Sequence, residues 1–177
     1  NKRPEHTVRD NHDYAQQSEF FNKFNDMSGR CEELAPGLML VGIGWAGGEY
    51  YDLPTERDLK AVCDEIRRSL QMKGKLGDKI ILLSHYPPWS EKLYDIDEQT
   101  AAGRGGWLFS AVTELIDEIK PMVVIQGHVH EFFGNKMVYD GPTCRTLIVS
   151  AGPNGGILTV DPELATAEFV FSNAANG

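Results

Sequence analysis

Cysteine is scarce in this sequence, and no long apolar run occurs in it. Only three of its 177 residues are cysteines, and they stand far apart at Cys31, Cys63 and Cys144. An odd number of distant cysteines fits neither a disulfide framework nor a zinc knuckle, so we expect a reducing, cytoplasmic compartment. No apolar run approaches the length of a membrane span, which argues against a membrane partner.

A signal peptide and a basic segment are also lacking. The amino terminus is polar and has no initiator methionine, so the chain is expected to be a fragment. Its 17 lysines and arginines are outnumbered by 26 aspartates and glutamates, giving a net charge of -9. Without a basic run to neutralise phosphates, the chain is not expected to bind nucleic acid. Its length suits one domain, predicted over residues 1–177.

Hydrophobic periodicity predicts the α/β class, with an α/β half followed by a β-rich half. Unbroken apolar runs predict strands that are buried on both faces. Apolar residues three and four apart predict helices, the second of which is capped by Thr55. The predicted strands are 38–43, 79–84 and 122–125, the helices are 14–25, 55–74 and 107–120, and the hairpins are 136–149 and 156–171.

The strand predicted at 122–125 leads into two histidines. Gly127 ends the strand, and His128 and His130 follow with one residue between them. On an extended or tight-loop backbone, residues two apart project to the same side, so both imidazoles should face one small volume. Ligands of open α/β sheets bind at this carboxyl edge. The alternative is a surface loop that happens to carry two histidines, and the motif alone does not decide.

Two further histidines occupy comparable places. His85 follows the strand at 79–84, and His12 stands beside Asn11 in a polar turn. Neutral imidazole is the commonest metal ligand, and amide oxygens also bind divalent ions. One histidine at a strand end is more often hydrogen-bonded than metal-bound, but three such places together predict a metal site. His6 has no partner in the sequence and is predicted to be solvated.

Three motifs resemble those of the calcineurin-like metallophosphoesterases, in the order of that family. They are Asn11-His12-Asp13, Ser84-His85-Tyr86-Pro87-Pro88 and Gly127-His128-Val129-His130. The resemblance covers roughly residues 8–160. It implies the four-layer α/β sandwich of the family, here without its N-terminal strands. It also implies hydrolysis of a small-molecule phosphate mono- or diester.

By this resemblance, the site holds two divalent metal ions. Asn11, His85 and His128 would bind one ion, and His130 would bind the other. Manganese, iron, zinc and nickel all accept such ligands. The two ions would clamp the phosphate and lower the pKa of a bridging water, which then acts as hydroxide.

The resemblance also implies catalytic residues. His12 would protonate the oxygen of the leaving group, and Asp13 would orient it. Outside the motifs, Arg104 in the glycine-rich stretch 103–106 is a candidate contact for the substrate phosphate; a loop arginine without this role is the equal alternative. Trp89 is predicted to pack, and Asn154-Gly155-Gly156 is predicted to be a turn.

The chain departs from the family in two ways. No predicted strand carries the Asp-x-His or the Gly-Asp-x-x-Asp motif with which the family begins, so the carboxylates that complete the metal centre are missing. Asp10 also replaces the glycine that precedes Asn11 in the family. Three explanations stay open: a fragment, a second chain that supplies the missing motifs, and an inactive relative that binds a protein partner. A nuclease is a further hypothesis, but the acidic net charge argues against it.

Overall fold

A six-stranded mixed sheet organises this protein. The computed structural model describes residues 6–8, 25–44, 54–76, 79–89, 93 and 108–172. The strands are β1 (His6–Thr7), β2 (Asn25–Asp26), β3 (Cys31–Ala35), β4 (Leu38–Ile43), β5 (Lys79–Ser84), β6 (Val123–Gln126), β7 (Asn135–Asp140), β8 (Arg145–Ser150), β9 (Gly156–Asp161) and β10 (Thr166–Phe171). The order in the large sheet is β3-β4-β5-β6-β8-β7.

The centre of the sheet is parallel and its edges are antiparallel. Strands β4, β5, β6 and β8 pair in parallel, while β3 and β7 close the two sides in the opposite direction. The predicted strands at 38–43 and 79–84 and the hairpin at 136–149 are confirmed. The hairpin does not form a separate unit, however, because β8 is inserted beside β6. Its buried residues Ile148 and Val149 need cover on both faces, which an interior position provides.

Helix α1 (Glu56–Met72) begins at the predicted cap. The Asp58 amide donates to the Thr55 hydroxyl at 3.3 Å, and the Thr55 amide donates to the Asp58 carboxylate at 2.9 Å, which forms a capping box. Hydrogen bonds from Thr55 hold the pKa of the Asp58 carboxyl below its usual value. The helix ends before Gly74, as predicted, and Gly74 has a φ of +64°.

Helix α2 (Ser110–Ile119) starts three residues later than the sequence predicts. Phe109 is extended because it bridges to Pro88: its amide donates to the Pro87 carbonyl, and its carbonyl accepts from Trp89. The helix can therefore begin only at Ser110. Its second amide, on Ala111, donates to the carboxylate of Glu56 in α1.

The sheet has a different cover on each face. Helices α1 and α2 pack on one face through a cluster of buried residues: Leu59, Cys63, Ile66, Leu70, Val112, Leu115, Ile116 and Ile119. The β9–β10 hairpin, which pairs as predicted, packs on the other face through Phe169. The described residues thus form a mixed α/β fold. Within them, no helix is long and apolar enough to cross a membrane.

Other predictions meet different outcomes. Strand β3 was not predicted, because only its first residue, Cys31, is buried and the rest of this edge strand is polar or exposed. Asn25 belongs to β2, whereas the rest of the helix predicted at 14–25 lies outside the described residues. Most of the predicted loop at 89–106 lies outside them as well.

Gly42 offers a direct test of this packing. A Cβ atom there would lie 2.3 Å from the Met27 carbonyl oxygen, which is backbone and has no free rotamer. We expect Gly42→Ala to lower the free energy of unfolding by about 3 kcal/mol, measured by urea denaturation. Gly127→Ala is the matched control, because its Cβ would meet nothing nearer than 3.6 Å. Equal unfolding midpoints for the two variants would contradict the packing described here.

Candidate metal site

His85 and His128 meet at the carboxyl edge of the sheet. Ser84 ends β5 and Gln126 ends β6, and these two residues are register partners in the parallel pair. Each histidine follows its strand closely, so the two imidazoles lie side by side. His85 Nε2 is 3.0 Å from His128 Nδ1, and the ring centroids are 4.8 Å apart. The prediction that neighbouring strand ends bring these histidines together is confirmed.

Backbone hydrogen bonds beyond the strands hold this edge in place. The His85 amide donates to the Ile43 carbonyl at 2.8 Å, and the Gly127 amide donates to the Ser84 carbonyl at 3.2 Å. These bonds extend the parallel ladder by one residue on each strand. The positions from which the two imidazoles project are therefore fixed by the sheet.

His128 has an unusual backbone conformation. Its φ is +65°, and the Val129 amide donates to the Gly127 carbonyl at 2.8 Å across it. A three-residue turn with positive φ at its central residue is rare and strained for a side chain other than glycine. Such strain persists only where the surrounding structure imposes it, and strained residues cluster at functional sites.

Tyr86 supports both imidazoles from the side. Its ring is fully buried and makes edge-on contacts with His85 at 4.8 Å and with His128 at 5.3 Å. Phe109 packs edge-on against the same ring at 5.3 Å. The Ser84 hydroxyl donates to the Tyr86 carbonyl at 2.5 Å. These contacts fix the planes of the two imidazoles.

A row of buried polar side chains lies beneath the site. Ser84, Gln126 and Ser150 are register partners at the ends of β5, β6 and β8, and each is no more than 3% exposed. The Gln126 amide donates to the Ser150 hydroxyl at 2.8 Å. No role for this row was predicted from the sequence. The feature of the sequence that could have revealed this row is a polar residue at the end of each of three apolar runs.

His130 takes up a different environment. It is exposed and begins a 3₁₀ helix (His130–Phe132), and its ring lies 4.8 Å from that of Phe133. Among the described residues, the rings that contact His128 are those of His85 and Tyr86. Of the two backbones that the sequence allows for this motif, extended or tight-loop, the structure has the tight loop, formed by the turn at His128 and the 3₁₀ helix.

The remaining predicted site residues lie outside the described part of the chain. They are Asn11, His12, Asp13 and Arg104, and the roles assigned to them stay predictions. Asp10 lies there too. The tripeptide Asp10-Asn11-His12 does have the Asp-x-His spacing, although it lies within the Asn-His motif rather than after a buried strand.

The prediction that His6 is solvated is wrong. Its side chain is only 16% exposed. His6 Nδ1 lies 3.2 Å from the Asn25 side-chain nitrogen and 3.9 Å from the Glu32 carboxylate. The reason is that β1 pairs with β2, which places His6 opposite Asn25.

The spacing of the two imidazole nitrogens fits a metal ion. Two nitrogen ligands that lie about 2.1 Å from one ion are about 3.0 Å apart at the right angle of octahedral coordination, and about 3.4 Å apart at the tetrahedral angle that zinc prefers. The observed 3.0 Å also suits a hydrogen bond in which one ring donates to the other. Within the described ranges, no three histidine, cysteine, aspartate or glutamate side chains form a group that could hold a metal. An ion bound by His85 and His128 would need further ligands, and the described histidine, cysteine and carboxylate side chains do not form such a group with them.

The cysteines do not supply these ligands. Burial raises the pKa of Cys63 to about 12, and it also raises the pKa of Cys31 and Cys144. All three thiols are free. Because the thiolate is the form that binds metals and attacks substrates, a raised pKa disfavours both roles. Cys31 and Cys63 are buried, whereas Cys144 is half-buried.

Two crystal structures resemble this chain. That of TT1561 from Thermus thermophilus matches 89% of this chain and 63% of its own length, with 14% identity and a TM-score of 0.51. A second matches 94% of this chain and 65% of its own, with 14% identity and a TM-score of 0.57. The fold is a known one. At this identity the likeness shows the fold alone. No protein-family model and no curated protein matches the chain.

The strain at His128 can be measured with two variants. His128→Gly and His128→Ala both remove the imidazole, but only glycine adopts a φ of +65° without a steric cost. We expect the glycine variant to be more stable than the alanine variant by about 1 kcal/mol in urea denaturation. An alanine variant of equal or greater stability would show that this turn is not strained.

Proposed function

We propose that this chain is part of a metal-dependent phosphoesterase. In this proposal, the described α/β fold is most of a metallophosphoesterase-type four-layer sandwich that lacks its N-terminal strands. The supporting observation is the 3.0 Å separation of His85 Nε2 and His128 Nδ1 at the carboxyl edge of the sheet. Both histidines belong to motifs that resemble those of the family, and the spacing suits shared metal ligation.

The proposed ligands come from several segments. His85, His128 and Asn11 would hold one ion, and His130 would contribute to a second. Such ions, when bound, would offset the charge of the phosphate and lower the pKa of a water molecule. The protein contributes the fixed positions: the strained turn aims Nδ1 of His128, and Tyr86 holds both rings.

The proposed reaction adds water across a phosphorus–oxygen bond. The water oxygen attacks phosphorus, the bond to the leaving alcohol breaks, and one phosphate and one alcohol are released. His12 would give its proton to the departing oxygen. Asp13 would accept a hydrogen bond from the same imidazole and so orient it. Arg104 would bind a phosphate oxygen.

The missing carboxylates set a condition on activity. The chain spans less than two thirds of the two crystal structures it resembles, so residues beyond it could supply these ligands. A second chain that carries them is the alternative source. With only neutral ligands, this chain alone is expected to bind a divalent ion weakly. The three free thiols are the basis for proposing a cytoplasmic location.

Metal uptake tests the proposed ligands. We expect the 177-residue chain to bind Zn²⁺ or Mn²⁺ in equilibrium dialysis, and His85→Ala and His128→Ala each to weaken binding by at least about 100-fold. His6→Ala is the control, because that histidine contacts Asn25 rather than the site. Equal binding by all three variants would remove the two histidines from the ligand set.

Catalysis requires a separate assay. With Mn²⁺ present, we expect slow release of phosphate from a simple phosphate ester, and its loss in His85→Ala. Adding a segment or a second chain that carries the missing carboxylate ligands should raise the rate, because those ligands would complete the metal centre. If the chain neither takes up metal nor turns over substrate, the enzyme reading fails for this chain.

A catalytically inactive scaffold is the second candidate function. Ile157 and Val170 are register partners on the outer side of the β9–β10 hairpin, with 69% and 58% of their surfaces exposed. An exposed apolar pair of this kind suits contact with a protein partner. This reading predicts neither metal uptake nor turnover, so the two assays above separate it from the enzyme.

A further inference from the structure

A pocket of about 420 Å³ opens next to the 3₁₀ helix of His130. Three segments build it: the turn after the 3₁₀ helix, the loop between β8 and β9, and the end of β10. The lining residues are Phe133, Gly134, Ala151, Pro153, Asn154, Gly155, Phe171 and Ser172. A pocket of this volume is within the range that small organic ligands occupy.

The walls of this pocket are held by backbone bonds and close packing. Gly152 has a φ of +67°, and a Cβ atom there would lie 2.9 Å from the Cβ of Phe133. Only glycine therefore lets the loop approach this ring. The Gly155 amide donates to the Gly152 carbonyl at 3.2 Å, and the Ser172 amide donates to the Gly155 carbonyl at 3.1 Å. These bonds join the predicted turn at 154–156 to the end of β10.

One lining residue of the pocket contacts His130, the residue that the sequence assigns to a second ion. Phe133 lines the pocket, and its ring centroid lies 4.8 Å from that of His130, at an angle of 32°. The Gly134 amide donates at 2.8 Å to the carbonyl of Ser150, which is the register partner of Gln126 at the end of β6. A molecule that packs against Phe133 in the pocket would therefore be separated from His130 by one aromatic ring.

The chemistry of the lining indicates which group fits. None of the eight described lining residues carries a charge, and Phe133 and Phe171 offer two aromatic faces. Aromatic groups pack favourably against such rings. The polar side chains of the lining are those of Asn154 and Ser172, too few to satisfy the hydroxyl groups of a sugar. An uncharged aromatic group therefore suits this pocket better than a polyol or an ionised group.

We infer that this pocket binds the organic group of the substrate, and that this group is an uncharged aromatic alcohol esterified to the phosphate. The inference rests on the proposed function for the phosphate end of the molecule. The aromatic end rests on the pocket alone. The two parts can therefore be measured separately, with 2-naphthol as the probe of the pocket and 2-naphthyl phosphate as the probe of both.

The pocket is tested by the binding of 2-naphthol to the metal-free 177-residue chain, measured by calorimetry. We expect Phe171→Ala to weaken binding by about tenfold, because one aromatic wall is lost. Phe171→Leu keeps an apolar side chain but lacks the aromatic face. Its affinity for 2-naphthol should therefore lie between those of the parent chain and Phe171→Ala. Val170→Ala is the matched control, since Val170 is the adjacent residue of β10, is 58% exposed and does not line the pocket.

The possible outcomes separate the pocket from the metal site. No binding of 2-naphthol by the parent chain, or equal binding by the Phe171 and Val170 variants, would overturn the inference. Equal unfolding midpoints of Phe171→Leu and the parent chain would show that the lower affinity of this variant for 2-naphthol does not result from unfolding. The phosphate end is tested with the metal-loaded chain. If this chain binds 2-naphthyl phosphate more tightly than 2-naphthol, and His85→Ala abolishes that difference, the result supports the proposed function. Loss of that difference alone counts against the metal site and leaves the pocket standing.

Discussion

The parallel pairing of β5 with β6 is the interaction on which the candidate site depends. Both strands are buried on two faces, so their register cannot slip without exposing apolar side chains or burying polar ones. This register aligns Ser84 with Gln126, and so it brings His85 and His128 together. The helices on one face and the hairpin on the other maintain the burial that fixes the register.

Much of this arrangement can be predicted from the sequence, because apolar runs determine which strands are central. The runs at 79–84 and 122–125 identify two such strands, and the parallel direction then places the following histidines at one edge. The capping box of α1 is equally local, since Thr55 and Asp58 lie within one turn of each other. These features depend on neighbouring residues and on periodicity, both of which a sequence displays.

Other features depend on contacts between distant segments. The insertion of β8 beside β6 cannot be predicted from residues 145–150, because their sequence suits a strand of a separate hairpin equally well. The extended conformation of Phe109 comes from its bridge to Pro88, and the burial of His6 comes from Asn25 and Glu32. The turn at His128, with its φ of +65°, leads into the 3₁₀ helix that begins at His130. The sequence motif therefore identifies His128 and His130 as candidate ligands, but it does not show that they occupy different environments.

The central claim is that His85 and His128 bind the same metal ion. Anomalous X-ray diffraction from crystals soaked in Zn²⁺ would test this claim most directly, because the ion is located independently of any activity. We predict one anomalous peak within bonding distance of both His85 Nε2 and His128 Nδ1. If the two rings instead stay hydrogen-bonded to each other with no ion between them, in a chain that carries the missing N-terminal motifs, the claim is wrong.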